Sequence, residues 1–380
     1  MPRYDYIIAG AGAAGLSLLT RMIACGKFSD KKILIIDKAA KTVNDRTWCF
    51  WEKEQGFFED IVYCSWDCLL FRSDSISSSL NMGDYRYKMI RGIDFYEKCF
   101  SIIKQQPNVD IRYGDLQFVH QEGTQSRMFI DNVELLIADA VVFNSISCNP
   151  RSDKNTLKLM QHFKGWIIET NDKVFDTSAG TLMDFRVHQN HGTSFVYVMP
   201  LAANRALVEY TLFTEQLLAA NEYDRELSDY IARFIDIKQY SISEVEYGII
   251  PMTNARFPFY QNGIYNIGTA GGQTKASTGY TFQFIQKQSR QIVELLSNNQ
   301  PLQNIVASPA RFHFYDSVLL QLLTQKKPGG KEIFTRLFQR NKASAIFKFL
   351  DNETSVPEEL AIISTLQMGA FAKAAIQQLT

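Results

Sequence analysis

The segment Gly10-Ala11-Gly12-Ala13-Ala14-Gly15 constrains this chain more than any other, because of what flanks it. Tyr4 to Ala9 is a near-continuous apolar run, the pattern of a parallel strand covered on both faces. The glycines then lead into a helical pattern through Leu16, Leu19 and Ile23. Gly10 permits a tight turn, Gly12 lets a pyrophosphate approach the backbone, and Gly15 lets the helix lie close to the strand. The first helical turn, at Ala13 and Ala14, offers free N–H groups and the positive end of the helix dipole to phosphates. A second buried strand, Ile33 to Ile36, ends in Asp37 and Lys38, with the acid near the spacing of roughly 20 residues expected of a ribose ligand. An acid there repels a 2′-phosphate, so the unit is expected to take an NAD-type or FAD-type adenosine. This unit alone does not separate the two.

The rest of the chain separates them. Residues 60–91 read as short strands in hairpins, and Asp94 as the cap of a helix through Phe95, Cys99 and Ile103. Val109 to Tyr113 reads as a strand, Leu116 to Leu136 as an antiparallel meander, and Ala138 to Phe143 as another buried strand. Strand-like alternation from Trp166 to Glu209 precedes a helix expected from Thr214 to about Asp236. The buried-strand pattern returns at IYNIGTAGG, followed by a helix from about Phe282 to Leu296, and the last eighty residues read as helical. Two pieces of one α/β domain thus surround an inserted sheet. The expected boundaries are 1–59, 93–150 and 247–298 for the nucleotide domain, 60–92 and 151–246 for the inserted sheet, and 299–380 for a helical region. A simple NAD dehydrogenase keeps its nucleotide domain continuous, so interleaving favours a flavoprotein.

Composition narrows the partners. With 40 Lys+Arg against 40 Asp+Glu the formal charge is zero, which argues against a nucleic-acid protein. A chain of 380 residues, 46% hydrophobic and 21% charged, belongs to the folded globular class and needs no disulfide staples. Its cysteines (Cys25, Cys49, Cys64, Cys68, Cys99, Cys148) form no CxxC pair and read as reduced thiols in a cytosolic compartment. His188 and His191 lack a carboxylate partner and read as a solvated loop, so no metal site is expected. Met1-Pro2-Arg3 runs straight into the glycine-broken unit, so no secretory signal is expected, and no run nears the roughly 18 apolar residues of a spanning helix. Phenylalanine is abundant, at 27 residues, which suggests a large apolar pocket or an apolar surface.

Four further segments carry a resemblance: NDRTWCFWE (Asn44 to Glu52), TLMDFRV (Thr181 to Val187), LVEYTLF (Leu207 to Phe213) and GGQTKASTGYTF (Gly271 to Phe282). In their order along the chain they resemble the lycopene cyclases, FAD-dependent enzymes that form carotenoid rings. The resemblance implies a mixed α/β fold: a Rossmann-like FAD-binding domain of the p-hydroxybenzoate hydroxylase type, an inserted antiparallel sheet domain and a C-terminal helical region. It implies a lycopene β-cyclase, an isomerase that closes the acyclic ends of lycopene with no net oxidation. Reduced FAD would be the active form and NAD(P)H its reductant. The alternative is an FAD- and NAD(P)H-dependent polyene reductase or hydroxylase of the same fold.

The chemistry needs a carboxylic acid protonated at neutral pH, negative charge or π density beside a carbocation, and exclusion of water. The motif makes Glu209 the leading proton donor or base, and a free Glu titrates near about 4.3, so its site must raise it. Tyr210 stands where the family usually carries a second acid. Asp184 and Arg186 alternate with Phe185, share one face, and take either a structural or a catalytic role. Cofactor contacts are expected from Gly10, Gly12, Ala13, Ala14, Gly15, Asp37, Lys38, Arg46, Thr47, Gly268, Thr269, Gly271, Gly272, Thr278 and Gly279. Trp48, Phe50, Trp51 and Tyr280 are the aromatic residues for the cation, or else core. Because the substrate dissolves in membrane, the protein is expected in the cytoplasm, peripherally bound to a membrane. Lys326 to Lys348 carries Ile333, Phe334, Leu337 and Phe338 at helical spacing among basic residues, the pattern of an interfacial helix or of a core-packed helix with a basic outer face. Arg256, Phe257, Phe259 and Tyr260 are a second candidate for membrane contact.

Overall fold

The glycine-rich segment of this computed structural model joins a fully buried strand to a helix, as its periodicity demands. Residues 3–119, 127–135, 140–146 and 150–379 are described. In chain order the elements are β1 (Tyr6–Ala9), α1 (Ala13–Cys25), β2 (Ile33–Asp37), β3 (Thr47–Glu52), β4 (Cys64–Trp66), β5 (Cys68–Arg72), β6 (Ser77–Leu80), β7 (Arg86–Arg91) and α2 (Gly92–Ile103). Next come β8 (Val109–Tyr113), β9 (Leu116–Val119), β10 (Arg127–Ile130), β11 (Val133–Leu135), β12 (Val141–Asn144), β13 (Lys158–Glu169), β14 (Ala179–Asp184), β15 (Thr193–Ala202), β16 (Arg205–Thr214) and α3 (Ala220–Tyr230). The chain closes with β17 (Ser241–Thr253), β18 (Tyr260–Gln261), β19 (Ile264–Asn266), α4 (Phe282–Ser297), α5 (Ala310–Gln325), α6 (Gly330–Arg340), α7 (Ala343–Leu350), α8 (Val356–Ser364) and α9 (Met368–Leu379).

Two sheets position the site. A six-stranded sheet has the order β18-β19-β12-β1-β2-β8, parallel except for β18. Its strands β1 and β2 are almost wholly apolar because both faces are covered, one by α1, α2 and α4, the other by the meander β9–β11, whose Met128 and Leu135 pack on Ile7, Leu34 and Ile36. A seven-stranded sheet has the order β17-β13-β16-β15-β14-β5-β6 and is antiparallel except where β14 meets β5. Strand period 2 splits β16 between its faces. Val208, Tyr210 and Leu212 pack with Trp166, Tyr223 and Tyr230 under α3, while Leu207 and Phe213 join the larger core with Phe195, Phe185 and the C-terminal helices. A smaller sheet, β3-β7-β4, and the meander β9–β11 complete the set.

Several expectations shift. Helix α2 begins at Gly92, directly off the end of β7, so Asp94 lies inside the first turn and pairs with Arg91 at 2.7 Å instead of capping. The helix expected from Thr214 starts at Ala220, because β16 runs on to Thr214 and Glu222 turns back to accept the Ala219 N–H at 2.8 Å. It then widens into a π turn over Ile231–Ile235. Between the two readings of the basic C-terminal segment the structure chooses core: Phe334 of α6 stacks on Phe185, Phe338 on Phe71, and Ile333 and Leu337 are buried. That apolar face is therefore not available to a membrane. Cys148 and the expected strand residues 138 and 139 lie outside the described residues, as do 120–126 and 136 of the meander.

Candidate active site

A cavity of about 550 Å³ opens where the two sheets meet, lined by the tip of α1, by β3, by one face of β13, β16 and β17, and by the loop before α4. Gly12 is the N-cap of α1, and a Cβ there would meet nothing within 4 Å. At Gly15 a Cβ would lie 1.9 Å from the Gly10 carbonyl oxygen, so only glycine lets the helix sit this close to the turn. Gly12, Ala13 and Ala14 face the cavity, and Asp37 accepts the Ala11 N–H at 2.7 Å beside Lys41. Lys38 is exposed and does not line this cavity. Gly268, Gly271 and Gly272 build a short turn packed on α1, Gly268 against Ala14, and of this turn Thr269 reaches the cavity. Arg46 lines it too, held by Asp45 at 2.7 Å. On the opposite wall the Gln161 Oε1 and Thr278 Oγ1 atoms are buried with no hydrogen-bond partner among the described residues. Uncapped helix amides and two orphaned polar atoms fit a phosphate-bearing ligand that has hydrogen-bonding groups of its own.

The chemistry sits beside this cradle. Glu209 of β16 and Glu246 of β17 both lie opposite Gly165 of β13, one on each side of it. Both carboxyls line the cavity. The Thr211 hydroxyl donates to Glu209 Oε1 at 2.8 Å and the Thr47 hydroxyl to Glu246 Oε2 at 2.8 Å. Burial, then the Glu246 charge and the hydrogen bond with it, hold Glu209 well above the usual carboxylate range. Burial raises Glu246 as well, opposed by the hydrogen bonds it accepts from Glu209 and Thr47. The proton of the pair therefore belongs to Glu209.

Aromatic hydroxyls close the far wall. Tyr87, Tyr197 and Tyr280 line it with Cys49, Phe163, Met199 and Leu207, and Tyr280 accepts hydrogen bonds from both other tyrosines. Burial pushes Tyr280 up to about 12, and Tyr87, Tyr197 and the Cys49 thiol well above their usual values. All four stay neutral, so among the described residues the charge next to that wall is the carboxyl pair's.

The structure divides the other expected residues. Trp48 and Tyr280 line the cavity, whereas Phe50 stacks on Phe282 and Trp51 is wedged between Tyr280 and Phe347, its indole N–H donated to Asp351 at 2.9 Å. Asp184 and Arg186 do share a face and pair at 2.6 Å, but on the side of the large sheet turned to α3: Asp184 also accepts the Tyr230 hydroxyl at 2.8 Å, and Arg186 lies over Phe234. Neither reaches the cavity. Glu246, Gln161, Tyr87 and Tyr197 were not expected. The one sequence signal for Glu246 is the alternation of SISEVEYGII, which sets Glu244 and Glu246 on one face.

Residues 5–376 match the family described as Lycopene cyclase protein. Among curated relatives, a chloroplastic lycopene beta cyclase of Nicotiana tabacum is 24% identical over 298 residues, 73% of this chain and 57% of that one. The chain thus spans little more than half the length of its plant relatives. A lycopene beta-cyclase of Pantoea ananas is 24% identical over 291 residues, 74% of this chain and 71% of that one. Two solved structures share the fold: a flavoprotein/dehydrogenase from Cytophaga hutchinsonii (TM-score 0.62, 13% identity, covering 100% of this chain and 99% of that one) and an aklavinone-11 hydroxylase bound to FAD and aklavinone (TM-score 0.57, 10% identity, 85% and 68%). The fold is therefore the mixed α/β fold of the p-hydroxybenzoate hydroxylase type.

Proposed function

Because the chain belongs to the lycopene cyclase family, we propose that it is a lycopene β-cyclase, an isomerase that turns the acyclic ends of lycopene into β-ionone rings, giving γ-carotene and then β-carotene. The observation that carries this reading is the Glu209 carboxyl, kept protonated on the wall of an aromatic-lined cavity beside a nucleotide cradle. Glu209 gives its proton to the terminal double bond, the neighbouring double bond attacks the tertiary cation, and a ring C–H proton returns to the carboxyl pair. Bonds and electrons balance with no net oxidation. The faces of Trp48 and Tyr280 stabilise positive charge and the apolar walls keep water out.

The cradle fits FAD: Gly12, Ala13 and Ala14 for its phosphates, Asp37 for its ribose, Gln161 and Thr278 for its polar ring atoms. Bound in reduced form it supplies negative charge beside the site, with NAD(P)H as its reductant. In this reading 60–92 and 151–246 form most of the substrate side and 1–59, 93–150 and 247–298 most of the cofactor side, with Gln161 reaching to the cofactor and Trp48 and Tyr280 to the substrate. The apolar polyene reaches the cavity from a membrane that the protein touches peripherally; among the described residues no helix is long and apolar enough to cross one.

The test is anaerobic incubation with lycopene-loaded liposomes, FAD and NADPH, with carotenoids and nicotinamide both measured. Cyclic carotenes without stoichiometric NADPH loss are expected; unchanged lycopene, or a product formed only with matching NADPH oxidation, overturns the reading. The cradle is tested by Gly12→Val. Its backbone, at φ −87 and ψ −168, suits any residue and the Cβ enters open space, so the FAD-free melting temperature should hold while FAD affinity falls more than about tenfold, since the branched side chain occupies the phosphate approach.

A further inference from the structure

Gly165 is a notch between two carboxyls. It lies in the middle of β13, where glycine weakens a strand and marks a bulge, a bend or a close approach by another group. A Cβ added to it would stand 3.0 Å from Glu246 Cγ, 3.2 Å from Glu246 Oε1 and 2.9 Å from Leu207 Cδ1. Neighbouring strands lie about 4.8 Å apart, so residues on β16 and β17 are separated by about two spacings and their side chains must lean over β13 to touch. At this register the strand between them has no side chain.

We propose that Glu246, reaching over the gap at Gly165, is the positioning residue that keeps the Glu209 proton in place until substrate arrives, and that Gly165 is what makes the contact possible. The inference rests on the cyclase reading for its purpose, and for the pair on strand register and the notch at Gly165 together with the hydrogen bond between the two carboxyls. Glu246 is pinned from its outer side by the Thr47 hydroxyl, which leaves its other oxygen for Glu209. Its negative charge holds the Glu209 proton before the reaction. Once Glu209 has given that proton to the polyene, the pair carries two negative charges against the new carbocation, and the proton lost from the ring restores it to one. The other titratable groups facing Glu209 are Cys49 from β3, Tyr197 from β15 and Tyr280 from the loop before α4, all neutral; Glu244, next along the β17 face, is tied to Arg205 at 2.8 Å. Among the described residues, Glu246 is thus the charge that adds to burial in raising Glu209.

The test reads Glu209 directly. In FAD-loaded protein, the protonated-carboxyl infrared band that disappears in Glu209→Gln is titrated in wild type, Glu246→Gln and Gly165→Ala. Removing or displacing the neighbouring charge makes Glu209 easier to ionise. Its midpoint is therefore expected to fall by at least about one pH unit in both variants, and the alkaline limb of cyclisation with it. Glu246→Gln preserves shape, so the result does not depend on Gly165→Ala folding. A midpoint unmoved in Glu246→Gln overturns the proposal. A midpoint that moves in a protein that forms no rings overturns the cyclase reading and leaves the pair standing.

Discussion

Asp184 and Glu209 lie on opposite faces of the seven-stranded sheet, which treats them in opposite ways. Asp184, under α3, receives the Arg186 guanidinium, the Arg186 backbone N–H and the Tyr230 hydroxyl, so every neighbour supports a negative charge. Glu209, on the cavity face, has one hydroxyl donor and a second carboxyl beside it. Both lie in short motifs, and both were candidates for catalysis. The neighbours decide between them: a carboxylate saturated with donors is a fastening, whereas a carboxyl crowded by like charge is an acid with a proton to give.

This contrast breaks first at Glu209. Glu209→Gln should lower cyclisation by about 10²–10⁴-fold, the usual worth of a positioned general acid, while the protein stays folded. Asp184→Ala should do the reverse: a loss of about 2–4 kcal/mol in denaturant unfolding, toward the lower figure because Arg186 is partly exposed, with turnover per folded molecule retained. A selective loss of turnover in Asp184→Ala would erase the distinction. The pH dependence of stability sharpens it. Glu209 and Glu246 have raised pKa values in the folded state, so their contribution is present in full below the ordinary carboxylate range and is lost as pH rises through the raised values. Glu209→Gln should therefore melt higher than wild type at alkaline pH and not at acid pH, by calorimetry across that range. The smallest effect is expected from Tyr197→Phe, which removes one hydroxyl hydrogen bond to Tyr280 and should lower turnover by about tenfold or less, on the scale of one neutral hydrogen bond.

The glycine turn at the head of α1 was legible because it is local. Strand, glycines, helix and acid lie within the first forty residues and their spacing alone sets the geometry. The carboxyl pair was half legible. The motif named Glu209, but its partner comes from another strand, β17, by register, while Tyr210 faces α3 on the other side of the sheet. Alternation could set Asp184 and Arg186 on one face without saying which, since β14 is apolar on both sides. The apolar stripe of α6 has the same period whether lipid or protein covers it. Only the aromatic partners Phe71 and Phe185, distant in sequence, decide that.

The central claim is that ring closure begins with a proton delivered by Glu209 and ends with one returned. Cyclisation run in heavy water, with the products weighed by mass spectrometry, tests it most directly. One deuterium per ring, with no nicotinamide consumed in step, is the expected result. Rings formed without deuterium, or a product carrying two added hydrogens, would contradict it.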